Sequence, residues 1–187
     1  GLEEGAITLV DTRPVDEVHA GAVPGSLSIP VPDRAATYGG WAYDPETDSR
    51  PLVLLAPDQE SAHEIWDHLV RVGVDDVSGY VTSLDGLPLE RPATVSPADL
   101  DAFEHALLLD VRNRTEFAEG TIPGAHQLSA GKVLWHQDRL PREGRIVTFC
   151  QSGLRNSVAA SALRRAGFDV VELEGSYAGW LEEQDAR

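Results

Sequence analysis

Methionine is absent from this chain of 187 residues, and lysine and cysteine occur once each. A lone cysteine cannot close an internal disulfide, which points to a reducing compartment, the cytoplasm. No apolar run reaches the roughly 18 residues that a membrane-spanning helix needs, and no secretory signal pattern opens the chain. A chain that begins at Gly1 and carries no methionine reads as a processed product or a piece of a longer one. Basic residues are scarce, 15 against 31 acidic ones, for a net charge of −16. That balance argues against nucleic acid or an anionic membrane as partner, because phosphate binding needs a basic surface. The six histidines show no metal-ligand spacing, and His63 and His68, five apart, do not face each other on a helix. In so acidic a chain the four tryptophans read as core or contact residues rather than a base-stacking platform.

What is present is a repeat. "LVDTRPVDEVHAGAVPGSLSIP" (9–30) matches "LLDVRNRTEFAEGTIPGAHQLS" (108–129), so that Asp11, Arg13, Gly21, Pro24 and Gly25 fall on Asp110, Arg112, Gly120, Pro123 and Gly124. "LVLLAPDQESAHEIWDHLVRVG" (52–73) then matches "IVTFCQSGLRNSVAASALRRAG" (146–167), with the register shifted by five residues. The shift falls near "TYGGWAYDPETDSRP", read as a polar, turn-rich insertion. The prolines of "GLPLERPATVSPADL" mark the junction, giving domains 1–91 and 92–187. Charge divides unevenly: residues 1–93 hold 17 acids and 5 arginines, residues 94–187 hold 14 acids and 10 basic residues. The second half is less hostile to an anion.

Apolar runs at 7–11, 51–55, 106–110, 145–149 and 169–173 have the length of buried strands. Helical spacing over 157–166, closed by Gly167, predicts a helix between the last two. Strand, helix, strand implies a right-handed crossover and a parallel sheet, whose ligands sit at the carboxyl ends of strands. The only thiol, Cys150, occupies that place. A thiolate is the reactive form of cysteine, and a helix N-terminus offers unpaired N–H groups and a positive dipole end. A short loop opening such a helix can aim several N–H groups at one spot. Ser152 and Gly153 permit the tight curl and Arg155 adds a cation. These features make a place for negative charge beside Cys150. The competing reading is a structural cysteine at a strand end, which the polar Gln151 and Ser152 disfavour.

The repeat, "DVRNRTEFAEGTIPGA" and "CQSGLR" together resemble the rhodanese (sulfurtransferase) family over nearly the whole chain. The resemblance implies an α/β fold of two rhodanese-like domains, each a parallel sheet flanked by helices. It implies a catalytic Cys150 that accepts a sulfane sulfur as a persulfide. Gln151, Ser152, Gly153, Leu154 and Arg155 would be the substrate-binding loop, whose amides cradle that persulfide. Asp110 and Arg112 would support the loop, with a purely structural strand-end ion pair as the alternative. No metal or organic cofactor is implied. The implied partners are a small anionic sulfur donor such as thiosulfate, or a persulfide, and a thiol acceptor or cyanide.

There are departures from the family pattern. Thr121 stands where members often carry His, and "CQSGLRNS" matches neither the basic loop of typical thiosulfate enzymes nor that of mercaptopyruvate enzymes. It looks more like loops of single-domain bacterial rhodaneses and of modules fused behind metallo-β-lactamase-fold hydrolases. A tandem tail of a persulfide-dioxygenase-like fusion, with an upstream hydrolase domain fused or separate, fits that likeness. In the first copy Ala56 replaces the cysteine, and Asp58 and Glu60 would repel an anion, so that copy is expected to be inactive. The rival readings are a Cys-dependent phosphatase or arsenate-reductase-like enzyme and a non-enzymatic sulfur-relay module. Phosphatase loops run Cys-x5-Arg, one residue longer than Cys150 to Arg155, and many place His where this chain has Phe149. Trp135 and His136 are candidates for lining the cleft beside Cys150, and Lys132, the only lysine, is a candidate for a place near the site.

Overall fold

A computed structural model describes residues 6–186. The chain divides into two compact units, Gly1–Pro92 and Ala93–Arg187. In the first, β1 (Thr8–Asp11), α1 (Val15–Ala20), β2 (Leu27–Ser28), α2 (Ala35–Ala42), β3 (Leu52–Leu55), α3 (Gln59–Val70) and β4 (Val77–Val81) follow in order. Their four strands form a parallel sheet ordered β2-β1-β3-β4. In the second unit β5 (Thr94–Val95) leads through a 3-10 stretch, Pro97–Phe103, to β6 (Leu107–Asp110), α4 (Arg114–Glu119) and β7 (His126–Gln127). There follow β8 (Arg145–Phe149), α5 (Leu154–Arg165), β9 (Asp169–Leu173) and α6 (Ser176–Asp185). The five strands are parallel and ordered β5-β9-β8-β6-β7. Both units are thus α/β, with a parallel sheet flanked by helices. No helix among the described residues is long and apolar enough to cross a membrane.

β8 is the central strand of the second sheet, and its residues 146–149 are buried. Ile146, Val147 and Phe149 read as a continuous apolar strand, as the middle of a doubly covered parallel sheet must. Helix α5 packs near β8 and β9 and is buried at every position from Asn156 to Leu163. Its small Ala and Ser residues let the helix lie close to the sheet, with Val158 and Leu163 buried among them. Val95, Ile122, Val147, Phe149, Val171 and Leu173 form a core cluster, with Leu100, Phe103, Tyr177 and Trp180 packed against it. The helix begins at Leu154, three residues earlier than apolar spacing indicates, because its first turn is polar and loop-like in composition. Its end matches the expected stop: Gly167, at φ +86°, follows the C-cap, and the Gly167 and Phe168 N–H groups bond the carbonyls of Arg164 and Leu163.

The insertion of the first copy differs from its reading as turns. Its first half, "TYGGWA", lies in helix α2, which packs on α3. Local propensity argues against a helix with two adjacent glycines. Packing overrides it, for Tyr38 is buried and Gly39 leaves room for Leu69 where a β-carbon would collide.

Helix α4 starts with a reciprocal capping box: Asn113 Oδ1 accepts from the N–H groups of Thr115 and Glu116, and Glu116 Oε2 accepts from Asn113 N–H. Asn113→Ala should therefore cost about 1 kcal/mol of folding stability in denaturant titration.

Candidate active site

Four residues, Cys150 to Gly153, join β8 to α5. Gly153 sits at φ +103°, a conformation that L side chains strain to adopt, and this tight turn brings its N–H to 3.1 Å from the Cys150 sulfur, which accepts the bond. Cys150 is 1% exposed, whereas Gln151, Ser152 and Leu154 are exposed. The thiol is buried beneath a solvent-facing loop.

The loop is held from behind by helix α6. The N–H of Tyr177 bonds the Cys150 carbonyl at 3.0 Å, and that of Ala178 bonds the Gln151 carbonyl at 3.1 Å. These are donors that a helix start leaves without intrahelical partners. In a trans peptide the carbonyl and the following N–H point opposite ways. With both carbonyls turned onto α6, the N–H groups of Gln151 and Ser152 point away from it. Ser176 Oγ accepts from Cys150 N–H at 3.3 Å. Ser176 is fully buried at φ +55°, the single non-glycine residue with positive φ among the described residues. That left-handed conformation costs roughly 1–2 kcal/mol for a residue with a β-carbon. Gly175 precedes it, and a β-carbon there would lie 2.9 Å from Gly179 Cα. Sequence reasoning missed Gly175, Ser176 and Tyr177. The spacing of Gly175 and Gly179 was the available sign of close backbone approach.

Asp110 and Arg112 meet in a buried ion pair. Arg112 Nε donates to Asp110 Oδ1 at 3.0 Å and Nη2 to Oδ2 at 2.7 Å. Nη2 also reaches the Gly120 carbonyl at 2.6 Å, and Nη1 reaches Gln151 Oε1 at 3.3 Å. The guanidinium lies 4.0 Å from the centre of the Tyr177 ring. Thr121, the residue in place of the family's His, donates its hydroxyl to Asp110 Oδ2 at 2.8 Å. Arg112 thus joins the ends of β6 and α4 to the Cys150 loop and to α6. The first unit repeats the inner part of this clamp: Arg13 Nε and Nη2 bond Asp11 at 2.9 and 2.6 Å, and Nη2 bonds the Gly21 carbonyl at 2.8 Å. The bonds to Asp11 raise the Arg13 pKa above its ordinary value, with burial opposing. A clamp present in the unit that has no thiol is a fold device first. The second unit adds Gln151 and Tyr177 to it.

Arg155 corrects the expectation of a cation available to an anion. Its Nη1 and Nη2 donate to the two carboxylate oxygens of Glu116, both at 2.7 Å. The pair holds the Glu116 carboxyl below its ordinary 4.5, chiefly through the Arg155 bonds, with the Asn113 N–H assisting and burial opposing. Lys132 and Trp135 are exposed, and no described hydrogen bond or ion pair links them or His136 to the loop. The turn that ends at Lys132 packs near α5.

The matching loop of the first unit is chemically different. Ala56 is buried in the thiol's place, and Pro57 carries no N–H. Asp58 caps α3, its Oδ1 accepting from Ser61 N–H at 2.8 Å, which lowers its pKa below the ordinary 3.8. A built-in carboxylate therefore occupies the helix start where an anion would bind.

Two expectations follow. A carboxyl whose folded pKa is depressed contributes stability above its unfolded pKa and loses it as the pH falls through the folded value. In urea titrations the stability gap between wild type and Glu116→Gln should be full above pH 4.5 and shrink below it, Arg155 staying protonated throughout. Ala56→Cys in a Cys150→Ser background, treated with thiosulfate, should show no added sulfur at position 56 by mass spectrometry.

Residues 97–183 match the rhodanese-like domain family. YtwF of Bacillus subtilis, provisionally named a sulfurtransferase, is 33% identical over 84 residues, 45% of this chain and 82% of that protein. A sulfurtransferase of Allochromatium vinosum is 33% identical over 78 residues, 41% of this chain and 73% of its own. A tRNA uridine(34) hydroxylase of Xanthomonas euvesicatoria is 32% identical over 156 residues, 74% of this chain and 62% of the hydroxylase. With a parallel sheet, a cysteine at the end of its central strand and these relatives, the chain belongs to the rhodanese family.

Proposed function

We propose that this chain is a sulfurtransferase that carries sulfane sulfur as a persulfide on Cys150. The observation that supports it most is the Gly153 N–H aimed at the Cys150 sulfur from a four-residue loop at the end of the central strand. The Cys150 thiolate attacks the outer sulfur of the donor. A bond forms between the two sulfurs, and the bond from the outer sulfur to the rest of the donor breaks. The electron pair leaves with sulfite when the donor is thiosulfate, or with a thiolate when it is a persulfide. An acceptor thiol, or cyanide in assay, then attacks the outer sulfur and returns Cys150 as thiolate.

Within this reading the N–H groups of Gln151, Ser152 and Gly153 hold the persulfide. Fixed amide dipoles in a site that excludes water stabilise developing charge without reorganising. Asp110 and Arg112 act through Gln151, keeping the loop in its curled form. The first unit is a second rhodanese-like domain without chemistry of its own, since Ala56 and Asp58 remove both the nucleophile and the vacant helix start. The chain is thereby a tandem with one working half.

Cys150→Ser should abolish both the mass gain of one sulfur atom on treatment with donor and sulfur transfer from thiosulfate to cyanide. Its circular dichroism should stay unchanged. Transfer near the wild-type rate in that variant would overturn the mechanism.

A further inference from the structure

One unit covers an apolar sheet face that the other leaves open. By the register of the repeat, Leu9, Val23, Val53 and Leu55 of the first sheet correspond to Leu108, Ile122, Val147 and Phe149 of the second. In the first unit the segment after β4 lies over this face. Leu84 and Leu87 pack on the cluster of Leu9, Val23 and Leu55, and a turn in which Leu87 N–H bonds the Leu84 carbonyl at 3.1 Å brings them together. Three residues on, Glu90 makes an antiparallel bridge to Ala22, with both main-chain bonds at 2.9 Å. Leu9 is 1% exposed beneath this strap. In the second unit the segment after β9 forms helix α6 instead, and a cavity of about 520 Å³ remains. Leu108, Ile122, Val147, Phe103 and Trp180 line it. Leu108, the counterpart of Leu9, is only half-buried. Thr121 is the counterpart of Ala22, and among the described residues no main-chain hydrogen bond engages it.

From this geometry we propose that the cavity is a docking groove for a basic segment of a partner protein, which lies on the second sheet as residues 82–91 lie on the first. The segment carries two leucine-class side chains three residues apart, closed by a turn. An extended residue three further on bridges to the Thr121 main chain. Binding of this kind draws affinity from main-chain bonds and specificity from pockets for side chains. It also gives partners to a half-buried N–H and C=O that otherwise depend on water. The volume falls within the range of built binding sites. Charge sets the sign of the partner. Two acids, Asp101 and Glu104, line the cavity, and no basic residue does. A segment with Lys or Arg where the strap of the first unit has Asp85 and Glu90 is complementary to that rim, whereas an acidic one meets like charge. Docking here is independent of the chemistry at Cys150.

The probe is a fluorescent peptide of residues 83–92, SLDGLPLERP, carrying Asp85→Lys and Glu90→Lys, titrated into the full chain and followed by anisotropy. It should bind saturably below about 1 mM. Leu84→Asn with Leu87→Asn in the peptide should weaken it at least about tenfold, because both apolar anchors are lost. Glu104→Lys in the protein, a change at an exposed position, should weaken the basic peptide about fivefold and strengthen the unaltered acidic one. In the full chain the bound basic peptide should slow hydrogen exchange at the Thr121 amide about tenfold. No saturable binding of the basic peptide up to about 1 mM overturns the proposal, as does binding indifferent to Glu104→Lys or without protection of Thr121. Self-association of the chain in sedimentation velocity that Glu104→Lys abolishes also overturns it, for a second copy is then the occupant.

Discussion

The first-turn amides of α6 bonded to the carbonyls of Cys150 and Gln151 are the contact on which the rest of the site depends. Loop carbonyls at a strand end would otherwise turn toward whatever donor is nearest. Turned onto α6, they force the neighbouring N–H groups to the opposite side, and the left-handed Gly153 completes the curl that brings its own N–H to the sulfur. The contact is made possible by backbone conformations that few residues adopt. Gly175 and Ser176 both have positive φ, and the strain at Ser176 is held by complete burial and by the bond from Cys150 N–H. Local strain maintained by surrounding structure is the usual sign of a position selected for what it does rather than for stability.

The comparison of the two units separates scaffold from chemistry. Asp11 with Arg13 and Asp110 with Arg112 make the same clamp onto a glycine carbonyl, one beside an alanine and the other beside a thiol. The clamp closes the strand end on itself and satisfies a buried carboxylate that would be costly unpaired. In the second unit it extends to a loop side chain, Gln151, and to an aromatic ring of α6. The clamp is thus kept in the unit that has an alanine in the thiol's place, while the units differ in that loop and in their sheets, of four and of five strands.

Charge follows the same logic at the site. The second half of the chain carries ten basic residues, which at the level of composition suggests a welcome for anions. In the fold, Arg112 pairs with Asp110 and Arg155 with Glu116, so both charges are met by carboxylates of the same unit.

Much of this was legible in the sequence, and for a definite reason. Apolar runs of strand length, a helix bounded by Gly167, the register of the repeat and the single thiol at a strand end are local or periodic features, and burial imposes them directly on residue order. The absence of a thiol at Ala56 needed only an alignment of the chain with itself. The partners of the site residues were not legible. Arg155 meets Glu116 and Arg112 meets Gln151 across 39 residues, and Cys150 meets Ser176 across 26. Composition shows that a cation is present but not which carboxylate reaches it. That choice is made by the sheet order, which sets β6 with α4 on one side of β8 and β9 with α6 on the other. The early start of α5 and the helix in "TYGGWA" escaped for a related reason: polar and glycine-rich segments fold as helices where neighbouring elements hold them, and residue order alone does not identify those neighbours.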